Sequence, residues 1–178
     1  LFATLTGWVF GRESTDRTSK ELLALPVPRP AIISAKFMVI GVNTVAMRLW
    51  VFLLGLVVGY LVDIPGYSNE LLRAATVNVL GTAVLTVILM SFVAFVSSFG
   101  RGETAAFGWA VLTVAIAQIA AITGWGDWLA WSVPAVFRGA AGPRAEMLGT
   151  HSFVIVGVAS LIGLALTYWW WQYADQSK

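Results

Sequence analysis

The densest gathering of side chains able to do chemistry lies between Gly11 and Lys36, in the string GRESTDRTSKELLALPVPRPAIISAK. Thr18 and Glu21 stand at capping-box spacing, so the Thr18 hydroxyl can accept from the Glu21 amide while the Glu21 carboxylate reaches back to the Thr18 amide. The spacing predicts a helix from about Ser19. Pro26 ends it after roughly two turns, because the ring removes a donor and disfavours helix at the residue before it. Leu22, Leu23 and Leu25 give this helix an apolar surface. A helix so short is marginal alone, so the membrane, neighbouring helices or a partner must hold it. Two readings stand side by side: a docking element for a soluble partner, or an elbow that turns the chain back into the membrane with its charges solvated.

Arg48 is the other conspicuous residue, a guanidinium inside an apolar run. It lies twelve positions after Lys36, about 18 Å along a helix and hence near mid-bilayer. Burial there costs from about 2.5 to more than 10 kcal/mol, so the group should face a protein interior, a watery transport pathway or a carboxylate. If residues 36–42 lie along the interface instead, Arg48 can snorkel back to it. Asn43, about 140° away around the helix, is no obvious partner. Gly55 and Gly59 form a close-packing pair, suited to contact within the chain or to a subunit interface. Ala159 and Gly163 repeat it more weakly. Asn78 and Gln118 suit hydrogen bonds between helices. Asp63, Glu70, Asp127 and Glu146 lack metal-ligand spacing and read as solvated, as does His151 at the start of a span.

The elements that position these residues follow from composition. The 178 residues are 58% hydrophobic and 11% charged, with mean hydropathy +0.81, against roughly 25% charged in an average soluble domain. That excludes a water-soluble globule. The pI near 9.2 reflects few acids and gives no nucleic-acid footprint. Without cysteine there is no disulfide framework, thiolate metal site or cysteine nucleophile, and a single histidine excludes a histidine metal cluster. Lipid demands helices of about 20 apolar residues or a closed barrel. Continuous apolar runs at 36–61, 71–99, 104–123 and 150–171 give four complete spans. Residues 1–10 read as the end of another span, not as a signal peptide. The expectation is an all-α, polytopic membrane helical bundle, a single transmembrane domain over 1–178, N-terminally incomplete and six-helical when whole.

Basic residues set the orientation. With the 11–36 loop in the cytoplasm, Arg12, Arg17, Lys20, Arg29, Lys36, Arg101 and Lys178 lie inside, while Arg73, Arg138 and Arg144 lie outside. The segment 124–149 then falls on the extracellular side. It holds Pro134, Gly139, Gly142 and Pro143, too broken to span yet too apolar for a free loop, and reads as interfacial or re-entrant. Trp125, Trp128 and Trp131 at spacing three would share one side of a short helix, as an aromatic anchor or a lid over a pathway.

The string from Phe10 to Phe37 resembles the signature loop of type-2 ABC transporter permeases, especially the bacitracin and lantibiotic-export group. The matching residues are Glu13, Thr18, the run Leu22, Leu23, Ala24, Leu25 and Pro26, then Arg29, Lys36 and Phe37. Trp131, Pro134 and Ala135 with the Gly/Ala-rich stretch after them are similar to that group's last extracellular region. The resemblance implies six helices per domain, with two permease domains, as homo- or heterodimer, on two cytoplasmic ATP-binding subunits. It implies that residues 11–36 form the coupling loop. Leu22, Leu23 and Leu25 would fill a groove on the ATPase, and Glu13, Arg17, Lys20, Glu21 and Arg29 would be polar contacts or supports. No phosphate-binding Gly-x-x-x-x-Gly-Lys-Ser/Thr motif is present, so this chain binds no cofactor itself and ATP with Mg belongs to the partner ATPase. The implied setting is a prokaryotic plasma membrane and the implied role antimicrobial peptide resistance. An intramembrane enzyme lacks support, since no His-Glu-x-x-His, Gly-x-Ser-Gly or paired intramembrane carboxylates occur. A passive channel or membrane assembly scaffold would keep the helices without needing Thr18, Glu21 or Pro26.

Overall fold

The computed structural model describes residues 2–15, 27–62, 68–100, 103–139 and 148–173. Its helices are α1 (Phe2–Thr15), α2 (Arg29–Leu61), α3 (Asn69–Phe99), α4 (Glu103–Thr123), α5 (Val133–Phe137) and α6 (Thr150–Tyr173). Four of them, α2, α3, α4 and α6, are long and apolar enough to cross a membrane. The chain is a multi-pass helical membrane bundle.

Local chemistry explains where the helices differ from the apolar runs. α2 starts at Arg29, seven residues before the run at 36, with Pro28 as N-cap at φ −64° and ψ 134°. Pro30 falls in the first turn, where a missing N–H costs nothing. α3 starts at Asn69 because the Ser68 hydroxyl accepts from the Leu71 amide at 3.1 Å. α1 continues to Thr15, beyond Phe10 where the apolar run stops. The chain leaves α3 at Gly100, where a side chain would collide with Ala105 and the Val96 carbonyl.

α3 is the hub and packs on every other helix, most extensively on α6. Near the Arg29 end, Phe10, Ile33, Ile40, Ala94 and Trp171 form one core cluster. A second joins Leu85 and Leu89 of α3 to Ala130, Val133 and Val156. The chain after α4 therefore folds back into the bundle, reaching the middle of α3. Trp131 packs edge-on against Phe92 and Trp109 at 5.6 Å. Residues 124–132 are turns, not a helix, so the three tryptophans share no common side: Trp125 and Trp128 are exposed while Trp131 is half-buried. Ser132 holds these turns by donating to the carbonyls of Gly126 and Leu129, and Gly124 takes φ +90°, a left-handed conformation that glycine adopts without strain.

Serine and threonine carry several of the bonds between helices, whereas Gln118 is exposed on α4. Ser91 donates to the Ser160 carbonyl at 3.0 Å, Ser160 to that of Ile88 at 2.8 Å, and Ser97 to that of Gly7 at 3.1 Å. In lipid such short side chains satisfy themselves while letting backbones approach.

Candidate functional site

Two places gather polar chemistry onto this scaffold. The first is the return leg of the 11–36 loop. α6 ends with carbonyls that have no helical partner and carry the negative end of the helix dipole. Arg29 Nη1 donates to two of them, Trp171 O at 3.1 Å and Gln172 O at 3.0 Å. Two turns on, on the same face of α2, the buried Lys36 donates from Nζ to Val9 O of α1 at 2.7 Å. Its ammonium lies 5.1 Å from the Phe10 ring centroid and 4.9 Å from that of Trp171, where the rings' negative faces attract it. Between these anchors Ser34 Oγ and Tyr168 Oη bond at 2.8 Å, and Trp171 Nε1 donates to Ser98 Oγ at 3.0 Å. One end of α2 is thus fastened to α1 and α6 by side chains that recognise backbone carbonyls. The sequence marks the two cations, but backbone acceptors carry no residue signature.

Of the remaining loop residues, Arg17, Thr18, Lys20, Glu21, Leu22, Leu23, Leu25 and Pro26 lie outside the described residues. Glu13 sits in the last turn of α1, and its side chain lies outside them as well.

The second place surrounds Arg48. α2 is one continuous helix from Arg29 through Arg48, and the guanidinium crosses to α3 rather than following its own helix to an interface. Nη2 donates to Thr86 Oγ1 at 2.7 Å, and the Phe2 ring lies 4.9 Å from Cζ. Among the described residues Nε is buried without a hydrogen-bond partner, and so is the hydroxyl of Thr44 one turn away on the same face. Asn43 spends its amide on the Val39 carbonyl at 2.8 Å. Thr86, 38 residues from Arg48, had no signal in the sequence.

Among the described residues, nothing lies within 4 Å of where a Cβ on Gly55 would stand, while Gly59 is buried. Close backbone approach occurs instead at Gly163, where a Cβ would lie 2.7 Å from Phe92 N of α3. At the opposite end from Arg29, His151 Nε2 lies 3.2 Å from Asp127 Oδ2, and the Asp127 side chain is only 16% exposed. This carboxylate is a tie between the folded-back segment and α6, not a solvated charge. The pair is half-open to solvent, so a double-mutant cycle of His151→Ala with Asp127→Asn, read by thermal melts, is expected to give a coupling below about 1 kcal/mol. A larger coupling would make the pair a principal fastening of this segment.

Sequence relationships agree with this architecture. A profile of the family described as ABC-2 family transporter protein matches residues 1–124. The chain is 24% identical over 168 residues to the bacitracin transport permease protein BCRB of Bacillus licheniformis, covering 94% of this chain and 80% of that protein. No solved structure matches. A multi-pass helical bundle whose first 124 residues fit that profile is a transporter membrane subunit, and the chain belongs to the ABC-2 transporter family.

Proposed function

We propose that this chain is the permease subunit of an ATP-driven ABC exporter. The 11–36 loop lies in the cytoplasm, and its short helix around residues 19–25 couples to a separate ATP-binding subunit that holds ATP and Mg. Two permease domains pair, with Gly55 on a candidate face between them, and Arg48 borders the translocation pathway. The segment 124–149 lies on the extracellular side and dips into the membrane. Similarity to a bacitracin transport permease supports antimicrobial peptide export as the role.

The observation that carries this reading is the fastening of Arg29 to the end of α6 and of Lys36 to α1. A push on the loop is delivered to three helices at once, as a coupling element requires. An elbow that merely turns the chain needs no such ties.

The test is co-expression of the full-length permease with its ATPase, copurification in detergent, and turnover with and without Leu22→Asp/Leu23→Asp. The expected result is loss of copurification and of permease-stimulated ATP hydrolysis, with an unchanged thermal melt of the permease itself. A wild type that recruits no ATPase would favour a passive channel or assembly scaffold.

A further inference from the structure

α4 packs on α1 and α3, and its buried residues Ala106 and Ala117 mark that side. The opposite side is uncovered among the described residues, and there Thr104, Gly108, Val111, Ala115, Gln118 and Ile122 are all exposed. They are spaced four, three, four, three and four apart. That is the a/d seam of a heptad repeat, the spacing that keeps one narrow line of a helix turned toward a partner helix. Gly108 and Ala115 keep the line low. Among the described residues no atom lies within 4 Å of where a Cβ on Gly108 would stand, so a second backbone has room to come close.

A face turned only to lipid has no use for Gln118. α4 runs for 21 residues, about 31 Å, the thickness of a hydrocarbon core. Gln118 lies five residues before its end, about 7.5 Å inside that core. No hydrogen bond holds its amide among the described residues, and lipid offers none, so exposure there is costly. The chemistry of the side chain says which partner relieves it. An amide has two donors and an acceptor oxygen, so two identical amides face to face satisfy one another through two N–H···O bonds, as no charged side chain can with its own copy. Two copies of one chain enter a membrane in the same orientation and are related by a two-fold axis along its normal. α4 then meets its copy in parallel, with residue 118 at the level of residue 118. A single polar residue in such a seam fixes the register of the pair.

We propose that α4 is the seam between two copies of this chain, closed by hydrogen bonds between the two Gln118 amides. The inference rests on the pairing of permease domains proposed above and places their contact on α4 instead of at Gly55 of α2.

The 178 residues contain no cysteine, so single cysteines can be placed in an otherwise cysteine-free full-length permease, oxidised in its own membrane and read as dimers on non-reducing gels. A disulfide needs Cα atoms within about 7 Å, a distance that equivalent positions reach only along the seam. Gly108→Cys, Val111→Cys, Ala115→Cys and Ile122→Cys are expected to cross-link. Val114→Cys and Ile116→Cys, also exposed but on the flanks of the seam, are expected not to. Gln118→Leu should weaken dimerisation about tenfold, the combined loss of two hydrogen bonds between helices, because leucine gains little by leaving lipid for a partner helix. The measurement is energy transfer between labelled copies diluted in lipid vesicles. Gln118 is exposed, so this variant leaves the packing of each copy intact. Equal cross-linking at Val114→Cys and Ala115→Cys, or an unchanged dimer with Gln118→Leu, would overturn the proposal. Cross-links at Gly55→Cys with none on α4 would overturn it while keeping the pairing of two permease domains, whereas a permease that binds its ATPase as a monomer would overturn both.

Discussion

Lys36→Glu is expected to remove the cooperative thermal transition of the purified permease, a loss of more than about 3 kcal/mol, the scale of an uncompensated buried charge. Lys36 is 8% exposed, and its ammonium is held by the Val9 carbonyl and by the faces of Phe10 and Trp171. All three present negative charge density. A carboxylate in the same place has nothing to donate and is repelled by each of them. Lys36→Met separates charge from packing, because it keeps most of the stem's volume. Its loss should be about 1–2 kcal/mol: a charge-assisted bond and the ring contacts disappear, offset by no longer burying an ammonium. The measurement is a melt in detergent followed by circular dichroism. Equal midpoints for the Glu and Met variants would mean that the stem alone matters and the ammonium does not fasten α2 to α1.

The outcome at Lys36 also marks how far the sequence could be read. The spans were legible because lipid imposes a long uninterrupted apolar run, and all four appear. Their ends were less so. Residues 28–30 look like a turn in sequence, yet Pro28 caps α2 and Pro30 fits its first turn, since proline is disfavoured only once a helix needs its N–H. The stretch from 124 to 139 was legible as neither span nor loop. Its three tryptophans were not, because spacing of three aligns residues only in a helix, and residues 126–132 are turns. Arg48 stood out by depth alone, but Thr86 is brought to it by tertiary packing. The same holds for Asp127 and His151, 24 residues apart.

The small-residue motifs show this limit most clearly and carry the other large effect. Gly163→Leu is expected to separate α6 from α3 and lower the melting midpoint more than any change at Gly55. A Cβ on Gly163 would stand 2.7 Å from Phe92 N, 2.8 Å from Ser91 Oγ and 2.9 Å from Phe92 Cα. Two of these are backbone atoms of the hub helix, so relief requires moving a helix, not a rotamer. Overpacking of this kind costs about 1–3 kcal/mol. The shift also strains the bonds across the seam, Ser91 to the Ser160 carbonyl at 3.0 Å and Thr167 to that of Ser91 at 3.3 Å, each worth about 0.6 kcal/mol in a membrane. Gly163→Ala should show the same direction with a smaller shift. Gly55→Ala meets nothing within 4 Å, so its only local effect is the better helix propensity of alanine, a gain of up to about 1 kcal/mol. In sequence Gly55 and Gly59 form the stronger motif, yet spacing says only which backbone could be approached, and the neighbour is supplied at Gly163. Melts of the three variants in one detergent decide it: a Gly163→Leu midpoint at the wild-type value would mean that α3 and α6 do not pack at this distance.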